Sequence, residues 1–165
     1  MKNRIYVVLF LVTWMELTLL GLGGDPEQAK QQVQVQASQA ALLLRPDLAI
    51  DKIWIVKDGL TTIAVPPLPV TVLKKGQKYL FSCRYKNTGR SLNGFWKLGY
   101  YIDGEMVCNQ SWGNVAAGEV QTKYINYTPM TTGAHTYECF LDYDKEIVEK
   151  NENNNKATIG FTVIN

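Results

Sequence analysis

The chain of 165 residues is poor in the side chains on which most catalytic sites depend, with one histidine, His135, and three cysteines. A serine or cysteine nucleophile would have to use that single histidine as its base, and no cysteine or carboxylate lies at zinc-ligand spacing from it. Phosphate-binding, dinucleotide-binding, metalloprotease and G-x-S-x-G motifs are also missing. The sequence therefore predicts a protein that is not an enzyme.

The sequence also lacks an excess of charge of either sign. Its formal net charge is +2, and lysine and arginine form no basic stripe, so we expect no nucleic-acid partner. Hydrophobic residues make up 46% of the chain and charged residues 19%, which is typical of a globular protein. The length accommodates one domain of ordinary size with additional segments.

Residues 1–24 have the pattern of an export signal, because "MKNR" carries two positive charges and a long apolar run follows it. An uncleaved signal anchor is the alternative, although Glu16 makes a membrane span costly. We therefore expect a secreted, cell-surface or periplasmic protein that contacts a membrane only through this segment, if it stays uncleaved. Residues 25–45 are rich in Gln and Ala and lack aromatics, which predicts a linker or stalk.

Residues 46–165 alternate short β-branched or aromatic runs with turn signals at intervals of about ten residues, which is typical of an all-β sandwich. The dipeptide Asp103-Gly104 predicts a tight hairpin. We predict a seven-stranded immunoglobulin-like antiparallel β-sandwich. Its predicted strands are 47–56, 77–85, 95–103, 105–110, 120–128, 135–142 and 156–164.

Three features of these strands favour the immunoglobulin-like arrangement. Cys83 and Cys139 fall on inward faces of the second and sixth strands, Trp96 lies on the third, and Tyr137 occupies the place of a tyrosine corner. A Cys83–Cys139 disulfide would close a loop of about 57 residues and stabilise the domain by roughly 4 kcal/mol. The alternative is that both are buried thiols. Cys108 is left as a free thiol or an intermolecular link.

Several sequence pieces then resemble the CARDB family, a cell-adhesion-related domain of bacteria and archaea with an immunoglobulin-like or fibronectin-III-like sandwich. They run in order as "PDLAIDKIWI", "KKGQ", "YKNTG", "YYIDGEMV", "AAGE" and "LDYDKEIVEKNENNNKATIGFTV". The resemblance covers residues 46–163 and implies adhesion or display at the cell surface. The two cysteines at 83 and 139 are not part of the family pattern, so the disulfide rests on the sandwich argument alone.

The acidic stretch "DYDKEIVEKNENNN", residues 142–155, lies between the last two predicted strands. An EF-hand is excluded, because Ile147 stands where a glycine is required and Asn153 replaces the bidentate glutamate. A catalytic carboxylate pair is disfavoured, since the acids alternate with Lys and Asn and no apolar pocket is indicated. We favour a structural loop whose side chains bond to backbone groups. The alternative is a looser Ca²⁺ site with ligands among Asp142, Asp144, Glu149, Glu152, Asn154 and Asn155.

Four aromatic residues are predicted on outward faces or loops: Trp54, Phe95, Tyr101 and Trp112. As an exposed cluster they could stack on sugar rings or anchor a protein partner; the alternative is that they are scattered singly. The sequence thus predicts an exported non-catalytic module for cell-surface adhesion or for protein or carbohydrate binding. Two alternatives are a Ca²⁺-stabilised structural spacer and an accessory subunit of an exported hydrolase. Apart from Ca²⁺, no cofactor is expected.

Overall fold

The computed structural model describes residues 25–57 and 71–165. The predicted signal segment therefore lies outside the described residues, as does most of the proline-containing stretch after the first strand. The chain divides into two compact units, Met1–Leu44 and Arg45–Asn165. We describe each unit by itself.

The described part of the first unit is one helix, α1 (Pro26–Leu43). Asp25 caps its start, where the carboxylate accepts the backbone N–H of Glu27 at 3.0 Å, and the proline at the first helical position is favourable there. Its Gln- and Ala-rich sequence supplies helix propensity but no apolar stripe, and none of its residues is buried. The segment predicted as a linker is thus helical. Among the described residues no helix is long and apolar enough to cross a membrane.

The second unit is a two-layer β-sandwich, as the sequence predicts. Its strands are β1 (Leu48–Lys57), β2 (Val72–Lys74), β3 (Tyr79–Asn87), β4 (Trp96–Ile102), β5 (Glu105–Trp112), β6 (Val120–Tyr127), β7 (Gly133–Leu141) and β8 (Lys156–Ile164). Sheet A has the order β1-β3-β6, and sheet B has the order β2-β8-β7-β4-β5. All seven predicted strands are confirmed.

Two details differ from the prediction. The short strand β2 is additional, and it pairs parallel to β8, so sheet B is mixed and not wholly antiparallel. A strand of three residues carries too little alternation to be recognised.

The predicted hairpin between β4 and β5 is confirmed, because Asp103 and Gly104 both have positive φ angles, 51° and 84°, as the two-residue turn requires.

The core lies between the two sheets and is dominated by aromatic side chains that alternate along the strands. Phe81 packs edge-to-face on Tyr137, with ring centroids 5.0 Å apart, and Tyr85 packs in the same way on Trp96. The prediction of a tyrosine corner at Tyr137 is wrong, because its buried hydroxyl has no hydrogen-bond partner. The largest fully buried side chains are Trp96, Tyr85, Tyr100, Tyr137 and Phe81.

Candidate functional site

The acidic loop between β7 and β8 begins with a tight turn at Asp142. This residue has φ 45°, and its backbone N–H donates to the carbonyl of Lys97 at 2.7 Å. Its side-chain Oδ2 accepts the N–H of Ile147 at 3.0 Å, so one carboxylate holds the next five residues in a folded-back conformation. Asp142 is only 1% exposed. The start of the loop is therefore held against sheet B.

Glu149 is the other buried acid of the loop and is 2% exposed. Its Oε1 accepts the backbone N–H of Leu48 at 2.7 Å, and its Oε2 accepts a hydrogen bond from the side-chain amide of Asn155. Burial raises the pKa of this carboxyl to about 7, although both hydrogen bonds favour the charged form. Glu149 thus ties the acidic loop to the first residue of β1.

Asp47, a buried acid immediately before β1, continues this connection. Its Oδ1 accepts the side-chain amide of Asn154 at 2.9 Å, and its Oδ2 accepts the hydroxyl of Thr88. Its backbone N–H donates to Oδ1 of Asn87 at 3.2 Å. The start of β1, the end of β3 and the acidic loop therefore share one polar network.

The structure supports the structural interpretation of the loop, with one correction. Glu149 and Glu152 accept backbone N–H groups as expected, the second from Glu149 itself at 2.9 Å. The side-chain amides of Asn154 and Asn155, however, donate to carboxylates and not to backbone groups. The reason is that buried carboxylates need charge-assisted donors, which the neighbouring amides supply.

Four oxygen atoms at the base of the loop are buried and have no hydrogen-bond partner. They are Oδ1 of Asp142, Asp144, Asn154 and Asn155. Burial raises the pKa of Asp142, and the nearby charges of Asp144 and Glu152 act in the same direction. Carboxylate and amide oxygens are the donors that Ca²⁺ prefers, so the four atoms are of the chemical type that a hard cation binds, although Oδ2 of Asp144 already pairs with the ammonium of Lys97.

The six predicted metal ligands do not form one carboxylate cluster. In residues 25–57 and 71–165, no three His, Cys, Asp or Glu side chains gather in a group that could hold a metal ion. Both carboxylate oxygens of Glu149 are already bound to protein donors, while Glu152 lies at the exposed rim. A cation at this place would depend on the two aspartates and the amide oxygens of the two asparagines.

The four predicted aromatic ligand residues lie on different surfaces. Trp54 is on the outer face of sheet A. Phe95 is 77% exposed and lies immediately before β4, and Tyr101 is on β4. Trp112 is not outward-facing: it packs against the core, with the ammonium of Lys123 3.4 Å from its ring centroid. The structure therefore does not bring the four together.

A different aromatic arrangement occupies the outer face of sheet A. Trp54 pairs in register with Ser82 on β3, and Ser82 pairs with Tyr124 on β6. All three point away from the core, because their neighbours Ile53, Phe81 and Ile125 point into it. Sequence analysis missed Tyr124, which is 54% exposed, although the alternation of its strand already placed it outward.

His135 is held by acceptors on both ring nitrogens. Nδ1 lies 2.7 Å from Oδ2 of Asp103, and Nε2 lies 3.2 Å from the carbonyl oxygen of Thr131. The hydroxyl of Thr131 is farther away, at 3.5 Å. The arrangement braces the β4–β5 turn against β7.

Sequence analysis also missed Asp47 and Asn87, two buried polar residues of the network. Both occur in pieces that carry the family resemblance, "PDLAI" and "YKNTG". The sequence did offer a signal for both: Asp47 stands immediately before a strand and Asn87 at the end of one. Short polar side chains at such positions bond to the backbone groups that the sheet leaves free.

The comparisons with known proteins agree with this architecture. The profile of the CARDB family matches residues 45–159. A CARDB domain from Pyrococcus furiosus, crystallised in complex with di-metal ions, has a TM-score of 0.58 at 24% identity, covering 73% of this chain and 94% of its own. The solution structure of the same domain has a TM-score of 0.55 at 24% identity, with coverage of 73% and 96%.

One segment of a β-glucosidase from Erythrobacter marinus is also similar, with a TM-score of 0.50 at 15% identity over 72% of this chain and 16% of the enzyme. At these identities the structural similarities show the fold alone. No curated protein matches the chain. Because the family profile spans nearly all of the β-sandwich, the chain belongs to the CARDB family.

Proposed function

We propose that this protein is an exported, non-catalytic β-sandwich module that binds carbohydrate or protein at the cell surface. The observation that carries the proposal is the row Trp54–Ser82–Tyr124 across the three strands of sheet A. Adjacent strands are about 4.8 Å apart, so the two aromatic residues stand roughly 10 Å from each other with a small residue between them. Ser82 is only 5% exposed between them, so a ligand on this face would contact mainly the two rings.

The chemistry of this row suits recognition without catalysis. Aromatic rings stack on apolar faces of sugars and anchor protein contacts. The ammonium of Lys52 lies 5.9 Å from the centroid of the Trp54 ring, so a hydrogen-bond donor borders the aromatic surface. Arg84 and Asp51 form an ion pair beside it. The apolar run of residues 1–24 supports export.

The test is binding of the full chain to isolated cell-surface polysaccharides and, separately, to surface proteins. Trp54→Ala and Tyr124→Ala should each reduce binding by tenfold or more, because hot-spot aromatics contribute about 2 kcal/mol or more. Phe95→Ala is the matched control, since that ring is exposed and lies next to β4 of the other sheet. Unchanged binding in both sheet A variants would exclude this face, and hydrolysis of a bound polymer would contradict the non-catalytic assignment.

A second candidate function is a Ca²⁺-stabilised spacer. The four buried, partnerless oxygens of the acidic loop favour it, and the related Pyrococcus furiosus domain was crystallised with di-metal ions. Two carboxylates and two amides supply only part of the six to eight oxygens that Ca²⁺ takes, so water or backbone carbonyls would complete its coordination.

A thermal melt in millimolar Ca²⁺ against EDTA tests this candidate. A cation that binds only the folded state stabilises it by about 2.7 kcal/mol at one hundred times its Kd, so a rise of several degrees is expected. Asp142→Asn should abolish the rise, whereas Asp51→Asn, in an exposed ion pair, should retain it. Equal melting temperatures with and without Ca²⁺ would remove the spacer function and leave the binding module untouched.

A further inference from the structure

Two cysteines lie between the sheets and are fully buried. Cys83 belongs to β3 of sheet A and Cys139 to β7 of sheet B, and each is 0% exposed. Cys83 pairs across its sheet with Ile53, which points into the core, and Cys139 pairs with Tyr100, which does so as well. The two strand faces therefore direct both thiols towards the same interior space.

The ring packing between the sheets places the two cysteines at the same level of the core. Phe81, two residues before Cys83, packs on Tyr137, two residues before Cys139, with ring centroids 5.0 Å apart. In the structure both are free thiols. A disulfide requires two cysteines whose Cα atoms are closer than about 7 Å and whose side chains point at each other, and two inward-facing cysteines at the same level of facing sheets are placed to meet this requirement.

The third cysteine is not an alternative partner for Cys139. Cys108 on β5 and Cys139 on β7 both pair with Tyr100 on β4, from opposite sides. They are therefore separated by two strand spacings, about 10 Å, which exceeds the reach of a disulfide. Cys108 is also only partly buried at the margin of the core, where it contacts the carbonyl of Asn109 at 3.6 Å.

We propose that Cys83 and Cys139 form a disulfide that covalently joins the two sheets of the mature protein. The reaction is thiol–disulfide exchange with a small-molecule or protein disulfide. One thiolate attacks the oxidant to give a mixed disulfide, the second thiolate displaces it, and the oxidant leaves as two thiols. The protein loses two protons and two electrons. The oxidising compartment that supplies this oxidant rests on the proposed export.

The bond must form before the core closes. Burial raises the pKa of the Cys139 thiol far above its usual range, so in the folded reduced protein this thiol keeps its proton and is a poor nucleophile. Both sulfurs are inaccessible to a bulky oxidant once the sheets have packed. Folding under oxidising conditions should therefore give the disulfide, whereas late addition of oxidant to the folded dithiol should react slowly.

The experiment uses the full chain with Cys108→Ser, so that the pair supplies the only thiols. The protein is refolded from denaturant in a buffer of oxidised and reduced glutathione, and the free thiols are then counted in denaturant with a chromogenic disulfide reagent. The expected result is no free thiol and an intact mass smaller by two hydrogen atoms. Two free thiols, or a protein carrying glutathione adducts, would overturn the proposal.

A second measurement guards against misfolding of that variant. In the unmodified chain one thiol should remain, that of Cys108. Reduction should lower the folding equilibrium constant about a thousandfold, the effect of opening a loop of roughly 57 residues. A variant with Cys83→Ala and Cys139→Ala provides the control, since its unfolding should not respond to a reductant. An equal response in both proteins would also contradict the disulfide. Neither outcome depends on whether the module binds a surface ligand.

Discussion

The carboxylate of Glu149 accepts the backbone N–H of Leu48 at 2.7 Å across 101 positions of the sequence. This hydrogen bond joins the acidic loop, which precedes the last strand, to the first residue of the first strand. The opposite carboxylate oxygen binds the side-chain amide of Asn155. The loop thus connects the first strand of the domain with the segment before its last strand, and Glu149 accepts both hydrogen bonds.

We expect Glu149→Ala to lower the free energy of unfolding by about 3 kcal/mol, because it leaves the N–H of Leu48 and the amide of Asn155 buried without partners. Urea unfolding followed by tryptophan fluorescence measures this loss. Glu146→Ala is the control: that carboxylate is exposed and pairs with Lys97 at the surface, so its removal should cost less than Glu149→Ala. Equal losses in the two variants would contradict a structural role for Glu149.

A pH-dependent stability is the second expected consequence of Glu149. Its pKa is raised by burial from 4.5 to about 7 in the folded protein, so the folded state binds the proton more tightly than the unfolded state. The stabilisation from this proton is complete below about pH 4.5 and is lost as the pH rises through about 7. A shift of this size corresponds to roughly 3 kcal/mol. Burial raises the pKa of Asp142 in the same direction.

The measurement compares the free energies of unfolding of the wild type and Glu149→Gln between pH 4 and 8, in EDTA. Other carboxylates titrate in both proteins and cancel in the difference. The wild type should lose stability relative to the variant as the pH rises. A difference that stays constant over this range would show that Glu149 titrates alike in the folded and unfolded states.

The strands were predictable because their patterns are local. In β3 and β4 the core residues recur at every second position, from Tyr79 to Tyr85 and from Trp96 to Ile102. The hairpin at Asp103-Gly104 follows from two residues that tolerate positive φ. The short β2 was not predictable, since its pairing with β8 joins residues about 90 positions apart and involves only three residues of β2.

The polar network escaped sequence analysis for the same reason. Asp47 and Asn154 are 107 positions apart, and nothing local indicates that an aspartate before the first strand needs the amide of an asparagine before the last. Trp112 was wrongly predicted to face outward. It lies at the end of an edge strand, where alternation does not show whether a ring packs against the core. Cross-sheet contacts of this kind depend on the tertiary arrangement.

Gly89 provides a steric prediction. A Cβ atom at this position would lie 2.4 Å from the carbonyl oxygen of Arg45, a backbone atom that cannot move aside independently. We expect Gly89→Ala to destabilise the domain by about 2–3 kcal/mol, in the range of other overpacking substitutions. Gly113→Ala is the matched control, because nothing lies within 4 Å of the corresponding Cβ. Thermal melts of both variants give the comparison, and equal melting temperatures would contradict the close approach.

Asn87 is the remaining residue whose substitution should be severe, because its buried side chain serves four backbone groups. Its Nδ2 donates to the carbonyls of Arg90 and Val115 at 2.7 and 3.1 Å. Its Oδ1 accepts the N–H groups of Asp47 and Gly89 at 3.2 and 3.0 Å.

Asn87→Ala should therefore lower the free energy of unfolding by about 3–4 kcal/mol, since several buried groups lose their partners together. Asn87→Asp tests the donor side separately: it keeps the acceptor for the two N–H groups but places a carboxylate against two carbonyl oxygens, so it should not restore stability. Asn126→Ala, at an exposed position of β6, should change the free energy of unfolding by less than about 0.5 kcal/mol. Urea unfolding of the three variants measures these differences. If Asn87→Ala lowers the free energy of unfolding no more than Asn126→Ala does, the side chain of Asn87 does not hold β1, β3 and the turn after β5 together.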